Sequence, residues 1–286
     1  MSHHRVSAMI DEAPRFERFS RMVQDAIGVQ LPESKKVMVE SRLRRQVTEL
    51  GLGTVDDCFR HLFDNGGLSQ ELDSIFDAVT TNKTDFFRES EHFVHLTERI
   101  IPARLSRRQA TGRSSMFKVW SAASSTGAEA FTAAMVLADR ESRRGAFEWR
   151  VLGTDINRKV LIEAKRAVYS DMTVQPVPAN FRDRFLRRGQ GQQTGNWRVI
   201  PDLRRRVDFQ KMNLMDTQYP MDRDLDVIFL RNVLIYFSEA DQTRVIAQLA
   251  GHLAHHGHLI VGHAEGMVVR HPAMCQVGPA VYRKED

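Results

Sequence analysis

The chain has 286 residues, 42% hydrophobic and 27% charged, an ordinary globular balance with length for two domains. No apolar run approaches the ~20 residues of a membrane helix and no export signal opens the chain, so a cytoplasmic protein without membrane insertion is expected. Cys58 and Cys275 are too few for a disulfide framework or a thiolate zinc site, and a net charge of +5 leans toward an acidic partner.

The first eighty-odd residues read as short helices. Phe16, Phe19, Val23 and Ile27 recur at helical spacing and Gly28 supplies a stop. Val37, Leu43, Val47 and Leu50 are read as a second stripe closed by Gly51. Thr54 with Asp57 predicts a capped helix holding Phe59 and Phe63. Ser69 is expected to open another, with Leu72, Ile75, Phe76 and Val79 inward. A longer helix is expected from about Glu89 to Arg99 and toward Pro102, and the polar stretch from Ser106 to Ser115 reads as a domain boundary.

From Met116 the rhythm changes to strand and helix in alternation: strands at Phe117–Trp120, Trp149–Leu152, Val207–Phe209, Leu225–Leu230 and His258–Val261. Helices fall at Glu129–Arg140, Arg158–Val168 and about Glu239–Leu253. That alternation predicts a parallel α/β sheet. Residues 169–206 interrupt it and read as a small β-hairpin insertion, since a structureless loop of that length is unusual.

The first βαβ unit carries the sharpest signal. Val119-Trp120-Ser121-Ala122-Ala123-Ser124-Ser125-Thr126-Gly127 is a strand breaking into a turn of small residues, and Glu129 falls in the first turn of the helix that follows. The next strand ends in Gly153-Thr154-Asp155, where a carboxylate can accept both hydroxyls of a ribose. A dinucleotide fits poorly: its pyrophosphate needs several glycines, and Glu129 would put negative charge beside it. S-adenosylmethionine has no phosphate and carries an ammonium and a sulfonium, so it tolerates that acid. A plain βαβ unit without a ligand is the competing reading.

Two further segments are candidates. Thr80 to Arg88 lies at the seam between the helical region and the α/β part, where Asn82, Thr84 and Arg88 offer donors and a cation beside two aromatic rings. By itself it reads as helix capping; with the Trp120 motif it reads as a lid. The buried strand Leu225–Leu230 emerges into Arg231, Asn232 and Tyr236, beyond the carboxyl end of a strand. His252, His255, His256 and His258 straddle an apparent helix end with Gly257 as stop, a placement that suits the helix dipole, and no metal is expected there.

Taken in order, these segments resemble the chemotaxis receptor protein-glutamate methyltransferases, the CheR-type family. The resemblance runs through Thr81-Asn82-Lys83-Thr84-Asp85-Phe86-Phe87-Arg88, the Val119–Gly127 turn, Gly153-Thr154-Asp155, Met212-Asn213-Leu214, Arg231-Asn232-Val233-Leu234-Ile235-Tyr236-Phe237 and Gly262-His263-Ala264-Glu265. It implies an α/β protein: a small N-terminal all-α domain joined to a Rossmann-like class I S-adenosylmethionine-dependent methyltransferase domain with a small antiparallel β insertion. The expected division is 1–88 for the helical domain, 89–115 for a linker helix and loop, and 116–286 for the methyltransferase domain, with 169–206 as the insertion.

By position, the resemblance implies cofactor contacts at Asn82, Thr84, Arg88, Glu129, Asp155, Asn213, Leu214, Arg231 and Asn232. The family usually reads Gly-Glu-Glu-Pro-Tyr-Ser where this chain has Gly127-Ala128-Glu129-Ala130-Phe131-Thr132. The implied reaction carries the methyl group of S-adenosylmethionine to a glutamate oxygen on a chemoreceptor helix, releasing S-adenosylhomocysteine. Arg88 or Arg231 is expected to orient the carboxylate and Tyr236 to shape the pocket. The implied partner is the acidic helical bundle of a chemoreceptor, met by the basic N-terminal region, and a monomer is expected. A nucleic-acid methyltransferase and a non-catalytic S-adenosylmethionine-binding regulator are the alternatives.

Overall fold

The computed structural model describes residues 14–110 and 116–285, so part of the polar stretch before Met116 lies outside the described residues. Helices α1 (Arg15–Ile27), α2 (Lys36–Glu49), α3 (Val55–Phe63) and α4 (Leu68–Val79) pack around a core of Phe19, Val23, Leu43, Leu62 and Ile75. Gly28 ends α1 in the left-handed conformation at φ 76°, which an L side chain resists. Thr54 and Asp57 close a reciprocal capping box on α3, with Thr54 Oγ1 3.1 Å from the Asp57 amide.

One stripe differs from expectation. Val37 is 78% exposed, and α2 buries Val39, Leu43, Gln46 and Val47 instead. At about 100° per residue, positions 37 and 43 sit about 120° apart around a helix and do not share a face. Similarly, Leu68 rather than Ser69 opens α4, after Gly67.

The long helix of the seam is built as α5 (Glu91–His95), a π turn (Leu96–Ile100) and α6 (Ile101–Ala110). The widened turn falls just ahead of Pro102, which has no amide to donate to the helix ladder. Phe93, Leu96, Ile100 and Ile101 bury themselves in the core on one face of the sheet.

The remainder is a seven-stranded sheet in the order β6-β2-β1-β7-β8-β10-β9. Its parallel part comprises β1 (Phe117–Ala122), β2 (Trp149–Asp155), β6 (Val207–Lys211), β7 (Leu225–Leu230) and β8 (Leu253–Val261). Helices α7 (Ala128–Arg144), α8 (Arg158–Arg166) and α12 (Glu239–His252) form its crossovers. The strands β9 (Met274–Gly278) and β10 (Val281–Lys284) add an antiparallel edge that periodicity did not reveal.

Two local readings change. Ala167, at φ 53°, stops α8 before Val168, which instead opens β3 (Val168–Ser170). That strand pairs with β5 (Asn196–Val199), and β5 with β4 (Leu186–Arg188), so the insertion is a three-stranded antiparallel sheet rather than a hairpin. The short helices α9 (Asp171–Val174), α10 (Ala179–Phe185) and α11 (Pro201–Arg204) complete it. Gly257 is not a helix stop either. The helix ends at His252 and the chain enters β8 directly, where a Cβ at 257 would lie 2.7 Å from the Leu225 carbonyl oxygen. That close approach of neighbouring strand backbone requires glycine.

Candidate functional site

From β1 the chain builds outward to β2 and β6 on one side, then returns to lay β7 and β8 on the other. The point where strand order reverses leaves a crevice beyond the carboxyl ends of β1 and β7. There the structure opens a cleft of about 1160 Å³, mouth included, whose far wall is the helical domain and the segment from Thr80 to Arg88.

The structure brings the sequence-derived candidates together: Asn82, Thr84, Arg88, Glu129, Asp155, Asn213, Leu214, Arg231, Asn232 and Tyr236 all line this cleft. Gly127 has a different task from close ligand approach. Its φ is 87°, and a Cβ there would lie 2.8 Å from the Phe209 ring and 3.0 Å from Ala164, so glycine allows α7 to pack on the sheet.

The turn after β1 holds Ala123 at φ 56° and Ser125 at φ 50°, left-handed conformations that non-glycine residues seldom keep away from functional sites. Asp155 helps fix this turn. Its carboxylate accepts the Ser125 amide at 2.9 Å and the Asn157 amide at 2.9 Å. Burial pushes the Asp155 carboxyl above its ordinary range despite those amides. Ser125 Oγ in turn donates to the Asn82 carbonyl at 2.8 Å, tying the turn to the seam.

That seam is anchored rather than loose. Phe86 is buried edge-on against Tyr169, and the Phe87 amide donates to Thr132 Oγ1 at 3.2 Å. The Asn213 side chain donates to the Ala26 carbonyl at 2.7 Å, and the Gln30 amide to the Tyr236 carbonyl at 2.9 Å. The segment expected as a lid lines the cleft and is tied to both of its sides.

Arg231 and Arg88 have different surroundings. The Arg231 guanidinium is buried between two carboxylates, 3.0 Å from Glu129 Oε2 and 3.1 Å from Glu89 Oε2, and it also donates to the Arg88 carbonyl. Glu129 Oε1 accepts Ser121 Oγ at 2.6 Å. Burial raises the Glu89 carboxyl, but Arg231, with Asn232 and His92, holds the net value below the usual range. Arg88 has no carboxylate partner among the described residues; its guanidinium makes only a 3.4 Å contact with the Lys83 carbonyl. Tyr236 stands half-buried at the mouth with Lys35 Nζ 5.5 Å from its ring centre.

Glu265 was quoted in the sequence only as part of a motif, yet it shapes the site. Fully buried, it accepts the amides of Gly262 at 2.8 Å, Asn232 at 2.7 Å and Val233 at 2.7 Å. This clamp holds Asn232 at φ 60° and turns the loop after β7 toward the cleft. Glu89 was also missed, although it adjoins Arg88. Below it His92 is buried, and its imidazole is driven down to about 4, first by burial and then by Arg231.

These residues suit a phosphate-free cationic ligand. The turn from Ala123 to Ala130 contains Glu129 and no basic residue, so a pyrophosphate at this helix N-terminus would face a carboxylate. Apolar Val29, Met38, Ile156 and Leu214 alternate in the walls with the carboxylates of Glu129 and Asp155.

Residues 82–281 match the family described as CheR methyltransferase, SAM binding domain, and residues 14–80 match the CheR methyltransferase all-alpha domain. This chain belongs to the CheR methyltransferase family. The family's cofactor is S-adenosylmethionine, in agreement with the donor set of the cleft. Among similar proteins, "Chemotaxis protein methyltransferase 2" of Pseudomonas aeruginosa is 35% identical over 93% of this chain and 91% of that one. "Chemotaxis protein methyltransferase" of Borreliella burgdorferi is 32% identical over 93% of both chains. The Escherichia coli protein of that name is 34% identical over 87% of this chain and 83% of its own. In this CheR chain the junction between the two matched regions falls at Thr80–Asn82, within the wall of the cleft. No helix among the described residues is long and apolar enough to cross a membrane.

Proposed function

We propose that this CheR protein methylates glutamate side chains on the cytoplasmic helices of a chemoreceptor, acting as a cytoplasmic monomer. The observation that carries this reading is the unequal state of the two arginines. Arg231 is neutralised by Glu129 and Glu89, whereas Arg88 faces the cleft with no carboxylate partner among the described residues. A guanidinium left free at the mouth of a methyl-donor pocket suits an incoming carboxylate. Of the two arginines considered from sequence, Arg88 takes the orienting role and Arg231 the structural one.

S-adenosylmethionine supplies the methyl group, carried on its sulfonium. Asn82, Thr84, Glu129, Asp155, Asn213, Leu214 and Asn232 are the residues we assign to holding it. A glutamate substrate is already ionised at neutral pH, with a reference pKa of about 4.3, so no general base is needed. Arg88 orients the carboxylate, Tyr236 bounds its approach, and the helical domain excludes water from the reacting pair. The names of the relatives support a chemotactic substrate. Charge supports it too: exposed Arg44 and half-buried Lys35, which lies beside Tyr236, stand on the helical domain and favour an acidic helical partner.

The test uses tritiated S-adenosylmethionine with receptor-bearing membranes. Label is expected in receptor and should be released by mild base, the signature of a carboxyl ester. Label appearing in RNA or DNA would favour the nucleic-acid alternative, and cofactor binding without transfer would favour a regulator. Within this assay Arg88→Ala is expected to lower kcat about a hundredfold, the scale of losing one orienting or charge-stabilising contact, with an unchanged melting temperature. Wild-type turnover in that variant would remove Arg88 from the role.

A further inference from the structure

We propose that Glu89, His92 and His263 form a binding site for a divalent cation of the zinc class. The three residues converge from two distant segments beside Arg231. Glu89 Oε2 lies 3.5 Å from His92 Nδ1 and 3.8 Å from His263 Nε2, and the three ligand atoms all fall within 4.8 Å of one another. Ligands about 2.0–2.2 Å from a tetrahedral zinc ion stand about 3.3–3.6 Å apart, so the triad needs only a small contraction to close on an ion.

His92 supplies the second, independent observation. It is 2% exposed, and neither of its ring nitrogens makes a hydrogen bond. A buried imidazole whose nitrogens are held only by such long contacts as that to Glu89 is costly. Its ring also meets the Pro279 backbone, and its Nδ1 is directed at Glu89. An imidazole turned toward a backbone carbonyl on one nitrogen and toward a metal on the other is the usual arrangement around zinc. The His92 and His263 rings lie 4.8 Å apart, centre to centre.

Access and charge are compatible with an ion. The His263 side chain is 49% exposed and opens the site to solvent, leaving room for water as a fourth ligand. Two imidazoles and one carboxylate select a borderline transition-metal ion over magnesium or calcium, which prefer oxygen alone. Glu89 also contacts Arg231, but Arg231 keeps Glu129 at 3.0 Å as a separate counter-ion.

The experiment is a calorimetric titration of metal-stripped full-length protein with Zn²⁺, repeated with Co²⁺ to follow the visible absorption of a tetrahedral site. A His3→Ala, His4→Ala background removes two histidines adjacent in sequence that could bind metal adventitiously. One Zn²⁺ per chain is expected, and His263→Gln should weaken binding at least tenfold and abolish the cobalt band. Because His263 is half-exposed, that variant should fold, and an unchanged melting temperature would verify it. No stoichiometric binding, or binding that His263→Gln leaves unaltered while the fold persists, would overturn the site.

Discussion

Arg231→Ala is expected to destabilise the protein by about 3–5 kcal/mol, because it strips a shared counter-ion from two partly buried carboxylates. Glu129 and Glu89 lose partners at 3.0 and 3.1 Å together, and among the described residues Glu129 keeps only Ser121. For a protein of this size the melting temperature should fall on the order of 10 °C, measured by differential scanning calorimetry. Arg231→Lys should recover part of the loss, since a single ammonium cannot span both acids as a guanidinium does. S-adenosylhomocysteine binding should fail in the alanine variant, as Glu129 and the seam at Glu89 both move. A melting temperature equal to wild type would show that the triangle of charges does not hold the cleft.

The second large effect is at Asp155. Asp155→Ala should weaken S-adenosylhomocysteine binding more than about a hundredfold, the equivalent of about 2.7 kcal/mol. Two causes act together. The variant loses the carboxylate assigned to the ribose, and it leaves the amides of Ser125 and Asn157 without their acceptor. Unsatisfied buried amides cost about 1–3 kcal/mol each, so some stability is lost as well. Asp155→Asn separates the two causes, because it keeps the shape and one acceptor oxygen but not the charge. Isothermal titration calorimetry giving wild-type affinity for the alanine variant would remove Asp155 from the pocket.

Both effects arise from one device. The loops after β1 and β7 are held in left-handed backbone conformations at Ala123, Ser125 and Asn232 by buried acids, Asp155 for the first and Glu265 for the second. An acid accepting backbone amides provides more orientation than a loop could keep unaided. The same bonds explain why the cleft keeps its shape between two domains whose cores are separate.

The order of motifs was legible in the chain because each depends on local rules. Alternation of strand and helix identified the parallel sheet, and the acid that closes β2 placed Asp155 at a strand's carboxyl end, since sheets of this kind bind ligands there. The Thr54–Asp57 cap was equally local. What tertiary structure alone decided involves residues far apart in sequence. Glu89 meets Arg231 and His263, and Glu265 meets Asn232, only because β7 and β8 lie side by side with the seam helix packed across their ends. Which arginine is free could not be read from composition, because it depends on whether a carboxylate stands within about 4 Å. The β9–β10 edge escaped for a related reason: short edge strands take their order from pairing with β8 rather than from any strong pattern of their own.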